Sequence, residues 1–457
     1  MDISIKEKIE LNNKQVTIMG IGRSGIAAAK LSIMQGANVF ISDQNDKTCE
    51  LFKLLELGIQ GESGGHSSKI YDADLWIISP GIPKEATIIK KALEKNIPVV
   101  SEIEFASWFT SAPILAVTGS NGKTTTAHML FEMCKTDDIH PTLSGNIGNA
   151  FSEIVIQDLS HPDDKRIHVL EISSFQMEFI KHFKPFISLF LNLTPDHLNR
   201  YRDMEDYITQ KMKMWSNQTK NDYLVYNADD DLLAKYIEPA KANKIPFSLN
   251  SNLDGLLFRL NATKIYDQKH ATLINLDQIA LPGKHNLSNY LGSSTSVSLL
   301  GIASSRISHV MSTFCGVPHR LETIGSIDGV TYINDSKATN VDAVKVALDS
   351  FNHPVYLILG GQNKGGNFLS LYPHTHNVKE ILTIGESEDA ISSVLGDAAR
   401  LISCGSLDKA VGIAHSHAQP GDIVLLSPGC ASFDQFTNYE DRGQHFKQLV
   451  QSLQVPK

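Results

Sequence analysis

Short apolar, β-branched runs alternate with segments of helix length along almost the whole chain. The runs are Gln15 to Gly20, Asn38 to Asp43, Leu75 to Gly81, Ile114 to Ser120, Ile167 to Ser173, Ile187 to Thr194, Val330 to Ser336, Val355 to Gly361, Glu380 to Glu386 and Asp422 to Gly429. This rhythm predicts an α/β protein built on parallel sheets. Many runs end in Gly, Ser, Asp or Asn at the carboxyl end of the strand, where open parallel sheets gather ligands. Residues 248–280 differ, reading as antiparallel strands with turns and no interpretable motif. Soft breaks near Pro98 to Pro113 and Gly316 to Arg320 divide the pattern into three expected domains, 1–105, 106–317 and 318–457.

Composition narrows the class. With 457 residues, 42% hydrophobic and 20% charged, the chain can bury a core in each of several domains, which excludes disordered, fibrous and collagen-like classes. Its 50 acidic residues against 41 Lys and Arg leave a formal charge of −9, a field that opposes nucleic acid and anionic membrane. An anionic ligand must then be held by a local cluster of donors. The five cysteines are dispersed without a C-x-x-C pair, which argues against a disulfide framework or a cysteine zinc site. The first residues lack an apolar signal core and no run approaches 18 apolar residues, so a cytoplasmic, unanchored protein is expected.

Two glycine-rich loops follow strands. Gly20-Ile-Gly22-Arg23-Ser24-Gly25 opens a helix, and Asp43 ends the next strand, in outline a dinucleotide fingerprint. A nucleotide or diphosphate ligand fits it, as does a ligand-free strand-to-helix turn, and a nicotinamide oxidoreductase is the competing enzyme class. More specific is Gly119-Ser120-Asn121-Gly122-Lys123-Thr124-Thr125, a shortened phosphate loop with Val117 where the longer spelling has glycine. Lys123 suits the β- and γ-phosphates of ATP, Thr124 a Mg²⁺ ion, and the amides of Gly119 to Gly122 phosphate oxygens. A nucleotide-dependent switch without covalent chemistry would use the same loop.

Other polar positions fall at strand ends. Glu171 is the natural Mg²⁺ carboxylate, and Asp196-His197 closes a neighbouring strand. Lys211 interrupts an apolar helical stripe formed with Tyr207, Met214 and Trp215. Its amine either snorkels outward or, in neutral form, captures CO₂ to become a metal-binding carbamate. Asn334-Asp335-Ser336-Lys337-Ala-Thr339-Asn340, the Lys364 loop, Arg320 and the Ser427 to Tyr439 segment complete the set.

Taken in order, Gly119-Ser-Asn-Gly-Lys-Thr, Glu171-Ile-Ser-Ser-Phe-Gln, Asn192-Leu-Thr-Pro-Asp-His-Leu, His285-Asn-Leu-Ser-Asn289, Pro318-His-Arg320, Asn334-Asp-Ser-Lys-Ala-Thr-Asn and Leu426-Ser-Pro-Gly-Cys-Ala-Ser-Phe-Asp-Gln-Phe resemble the Mur ligase family. The last two strings look like its D-glutamate-adding member. The resemblance implies an N-terminal Rossmann-like domain, a central P-loop domain and a C-terminal Rossmann-like domain. It implies a monomeric ATP-dependent ligase of peptidoglycan precursor synthesis, joining D-glutamate to UDP-N-acetylmuramoyl-L-alanine through an acyl phosphate. Lys123, Lys211, His197 and Lys337 would then be catalytic. Two Mg²⁺ ions would be served by Thr124, Glu171, His197 and a carbamylated Lys211. ATP would be held by residues 119–125 with Asn286, Asn289, Arg320 and Asp335. The UDP substrate would meet Gly22, Arg23, Ser24, Asp43, Gln44, Ser79, Gly81, Asn146 and His197. D-Glutamate would meet Lys337, Thr339, Lys364, Ser432 and Tyr439.

Overall fold

A computed structural model of the chain describes residues 10–194, 200–250, 252–363 and 366–453. The first sheet holds β1 (Gln15–Met19), β2 (Asn38–Asp43), β3 (Gln60–Ser63), β4 (Leu75–Ile78) and β5 (Val99–Ser101), all parallel in the order β3-β2-β1-β4-β5. The second holds β6 (Ile114–Thr118), β7 (His140–Gly145), β8 (Arg166–Glu171), β9 (Ile187–Phe190), β10 (Tyr223–Asn227) and β11 (Asn243–Phe247), again all parallel, in the order β11-β10-β9-β6-β8-β7. As the sequence led us to expect, a small antiparallel sheet follows, formed by β12 (Phe258–Leu260), β13 (Lys264–Asp267) and β14 (Thr272–Asn275). The fourth sheet comprises β15 (Glu322–Ile327), β16 (Val330–Asn334), β17 (Val355–Gly360), β18 (Val378–Ile384), β19 (Arg400–Gly405) and β20 (Ile423–Leu426). Its order is β15-β16-β20-β17-β18-β19, with only the edge strand β15 antiparallel.

All ten apolar runs are strands, because each is buried on two faces. In the first sheet Ile18, Ile41 and Ile77 pack into one core, while Met19, Trp76 and Ile78 point into another on the opposite side. In the fourth, Leu357 and Leu359 face one core, Tyr356 and Ile358 the other. Strands covered by helices on both sides need apolar residues at every position. Seven strands were not anticipated: β3, β7, β11, β15 and β19 are half-exposed edge strands whose polar residues read as loop, whereas β5, only three residues long, and the interior β10 carry apolar residues in runs too short to stand out.

The chain forms two compact units, residues 1–314 and 315–457. Within the first, the helix Glu102–Ser107 pins the first sheet to the second with two buried carboxylates. Glu102 accepts the Ser152 N–H, and burial pushes its carboxyl up to about 7. Glu104 accepts the backbone N–H groups of Lys181, His182 and Phe183 and the indole N–H of Trp108. Among the described residues no helix is long and apolar enough to cross a membrane.

Candidate functional site

In each large sheet the chain order reverses beside a central strand, and a crevice opens where the loops after neighbouring strands part. The loops after β1, β2 and β4 meet at the first. They line a cavity of about 570 Å³ with Gly20, Gly22, Asp43, Gln44, Asn45, His66, Ser79, Gly81 and Ile82 among its walls. Gly25 lets the helix Arg23–Met34 approach, since a Cβ there would stand 1.9 Å from the Gly20 carbonyl oxygen. At Gly22, the helix N-cap and a lining residue of the cavity, a Cβ would meet nothing within 4 Å. The Ser79 hydroxyl is buried without a partner, a donor available to a ligand. Asp43 already accepts the Ile21 N–H at 2.7 Å and the Asn45 N–H at 2.8 Å, so it shapes the loop as well as lining the cavity. Arg23 turns away, donating to the Gly148 carbonyl at 2.8 Å, and its neighbour Ser24 is half-buried.

The second crevice gathers the phosphate loop after β6, Glu171 at the end of β8 and the segment after β9. Gly122 takes a left-handed φ of 83° and caps the helix Lys123–Cys134, and a Cβ on it would stand 2.8 Å from Asn289 Oδ1. Lys123 Nζ donates to the Gly119 and Ser120 carbonyls at 2.8 Å each. Lys211, only 2% exposed, donates to the same Gly119 carbonyl at 2.8 Å and lies 4.9 Å from the Tyr207 ring centre. The ammonium therefore points inward and does not snorkel, because its helix packs against the loop. Two amides expected to cradle oxygens are engaged: Ser120 N–H donates to the Asn192 carbonyl and Asn121 N–H to Asn192 Oδ1. The Ser120 hydroxyl is likewise structural, joined to Thr194 and Tyr207. The start of the helix, with buried Thr124 and half-buried Thr125, is left to meet an anion.

Glu171 is buried; its Oε1 accepts the Asn146 amide at 2.8 Å and its Oε2 is buried without a partner. Register pairs Glu171 with Val117, one strand from the phosphate loop. A lone buried carboxylate oxygen is costly unless a cation or donor meets it. Among the described residues no group of three or more His, Cys, Asp or Glu could hold a metal unaided. Mg²⁺ fits this set, since it is commonly held by one or two carboxylates with water and substrate phosphate completing its shell. Asn286 and Asn289 lie on the helix Lys284–Ser298, both buried, with Asn286 donating to the Pro282 carbonyl.

In the second unit the loops after β16, β17 and β20 converge. Asp335 is buried, accepting the Ser427 hydroxyl at 2.7 Å and the Leu321 N–H at 3.2 Å. Burial pushes its carboxyl up to about 6 against the pull of those bonds and of Arg320. Exposed Arg320 sits between His319 and Leu321, which both hold positive φ. Lys337 Nζ lies 6.0 Å from the Tyr439 ring centre, Thr339 N–H donates to the Lys337 carbonyl, and Ser432 is buried after β20. His197 and Lys364 lie outside the described residues.

Several organising residues carried no signal of this role in the sequence. Arg442 is buried beneath these loops, donating to Ser336 Oγ, the Ser336 carbonyl and the Cys430 carbonyl. Burial lowers its guanidinium to about 10, still cationic at neutral pH. His319 accepts from Asn334 Nδ2, its carbonyl takes the Lys337 N–H, and burial holds its imidazole below the ordinary value. Asn192 and Arg200 do the same for the first unit. His319 and Asn192 sit inside motifs already singled out but with no role assigned there, whereas Arg200 and Arg442 lie outside every motif.

Comparison with known proteins agrees with this arrangement. Residues 14–101 match the Mur ligase MurD-like N-terminal domain, 117–297 the Mur ligase middle domain and 319–430 the Mur ligase glutamate ligase domain. A UDP-N-acetylmuramoylalanine–D-glutamate ligase of Christiangramia forsetii is 41% identical, covering 96% of this chain and all of its own. The ligase of the same name from Salinibacter ruber is 40% identical, covering 97% and 99%. Among solved structures, UDP-N-acetylmuramate-alanine ligase of Thermotoga maritima superposes with a TM-score of 0.58 at 19% identity, covering 97% of this chain and all of that one. MurF ligase of Thermotoga maritima, solved in complex with ADP, gives 0.58 at 17%, covering 97% and 96%. These two likenesses concern the fold alone, whereas the matches in sequence run the length of the molecule; on that ground the chain belongs to the Mur ligase family.

Proposed function

We propose that this protein is the ATP-dependent ligase that joins D-glutamate to UDP-N-acetylmuramoyl-L-alanine, a cytoplasmic step of peptidoglycan precursor synthesis, working as a monomer. The observation that carries the reading is identity of 41% and 40%, over nearly the whole chain, to relatives bearing that activity in their names. Three functional domains at 1–105, 106–317 and 318–457 belong to the proposal, and the matched ranges 14–101, 117–297 and 319–430 support them.

The substrate carboxylate is a poor acyl donor, so ATP phosphorylates it first, giving an acyl phosphate and ADP. The D-glutamate amine then attacks the acyl carbon, the tetrahedral intermediate collapses, and phosphate leaves. Phosphoryl transfer needs positioning and charge neutralisation more than covalent help. Lys123 supplies a cation held at the loop, and the helix that it opens presents the positive end of its dipole to an anion. Thr124, Glu171 and Lys211, with His197, are assigned to Mg²⁺, which when bound neutralises phosphate charge. Carbamylated Lys211 would add a carboxylate to Glu171 there. Asn286, Asn289, Arg320 and Asp335 are assigned to the nucleotide. Lys337, Thr339, Lys364, Ser432 and Tyr439 are assigned to D-glutamate. Gly22, Ser24, Asp43, Gln44, Ser79, Gly81 and Asn146 are assigned to the UDP substrate, and Arg23 once it leaves the Gly148 carbonyl, the unpartnered Ser79 hydroxyl being the strongest support among them.

Phosphate release in a panel of amino acids tests the reading. Release should require both UDP-N-acetylmuramoyl-L-alanine and D-glutamate; equal release with L-glutamate or L-alanine would remove the assignment.

A further inference from the structure

The turn Ser79 to Ile82, closed by an Ile82 N–H bond to the Ser79 carbonyl, forms one wall of the first cavity. What holds it comes from the segment after β9. Arg200 donates through Nη1 to the Gly81 carbonyl at 3.2 Å and through Nη2 to the Ile82 carbonyl at 3.0 Å. The same guanidinium forks onto Glu178, Nε to Oε1 at 3.0 Å and Nη2 to Oε2 at 2.8 Å, and lies 4.3 Å from the Phe175 ring centre. The side chain of Glu178 is 1% exposed and that of Arg200 13%. A second tether follows two residues after Ile82, where Lys84 meets Asp206 Oδ1 at 2.6 Å. Asp206 belongs to the helix Met204–Met212, which also presents Tyr207 and Lys211 to the phosphate loop.

Two consecutive carbonyls bound by one guanidinium fix two peptide planes, and a rigid fork does this where a lysine cannot. Burial makes the arrangement stiff, because an Arg losing any of these acceptors would be left partly unsatisfied. The wall of the cavity is therefore set by residues that need not touch its contents.

We propose that Arg200, braced by Glu178, is a positioning residue for the UDP end of the substrate, and that the Lys84–Asp206 pair braces the same wall a second time. The proposal rests on the first cavity holding the UDP group. Calorimetric titration with UDP, together with KM values for the full substrate and for ATP, tests it in the parent, Arg200→Lys, Arg200→Ala and Lys84→Ala. Removing one or two charge-assisted bonds to the wall should weaken UDP binding roughly tenfold to a hundredfold in both Arg200 variants. Lys84→Ala should weaken it severalfold, and the KM for ATP should move less than that for the UDP substrate in every variant. Arg200 variants that melt like the parent and bind UDP equally would overturn the proposal, as would KM values for both substrates rising in step. If the Arg200 variants do not fold, Lys84→Ala decides, because Lys84 is partly exposed and Asp206 keeps its bonds with Gln210 and with the Asp203 cap; unchanged UDP affinity there overturns the idea. A parent that takes up no UDP would instead remove the functional assignment of the cavity.

Discussion

Glu102→Gln isolates the cost of the carboxylate that joins the first two sheets. Glu102 is 3% exposed, and burial lifts its carboxyl from 4.5 to about 7 although the Ser152 N–H favours the anion. A group raised in the folded state contributes its stability in full below 4.5 and loses it as pH climbs through 7. The rise corresponds to about 3 kcal/mol, an order-of-magnitude value for a buried group. Glutamine keeps a carbonyl oxygen for the Ser152 N–H and cannot ionise. The variant should therefore match the parent near pH 4.5 and exceed it by about 3 kcal/mol at pH 8.5. Tryptophan fluorescence during urea unfolding is the natural assay, because all three tryptophans, Trp76, Trp108 and Trp215, lie in the first unit. Other titrating groups cancel in the parent-minus-variant difference. A difference that stays flat across this range would refute the reasoning.

Glu171→Gln removes the charge but keeps the shape, so Mg²⁺ titrations of phosphate release should shift to higher concentration and kcat should fall on the order of a hundredfold with melting temperature little changed. An unchanged Mg²⁺ requirement would detach Glu171 from the metal. Gly122→Ala meets both a left-handed φ of 83° and a Cβ contact of 2.8 Å with Asn289 Oδ1. It should cost about 1–2 kcal/mol in thermal unfolding and raise the KM for ATP. If Asp335, lifted by burial to about 6, holds the nucleotide hydroxyls as proposed, it accepts them more strongly as the anion, so the KM for ATP should fall as pH rises through 6 and lose that dependence in Asp335→Asn. Carbamylation of Lys211 predicts that bicarbonate restores activity to a CO₂-depleted preparation of the parent but not of Lys211→Ala; parent activity insensitive to bicarbonate counts against it.

What the sequence determined by itself follows from local chemistry. Interior strands of parallel sheets are buried on both faces, so Leu75 to Ile78 and Ile423 to Leu426 declare themselves as apolar runs. The loops that follow must be glycine-rich or polar to approach phosphate, and so Gly119 to Thr124 and Asn334 to Thr339 were legible in order. Edge strands were not, because Gln60 to Ser63 and Arg400 to Gly405 are half in water and keep polar residues. Nor were the residues that act across long separations. Arg200 reaches Gly81 over 119 positions and Arg442 reaches Ser336 over 106, and no spacing rule links such pairs. Tertiary structure alone decided that Lys211 points at Gly119, that Ser120 and Asn121 amides are already engaged and that Glu171 keeps one oxygen unpartnered. The reason is physical: residue type sets which interactions a side chain can make, but only packing between distant segments sets which of them it has already made.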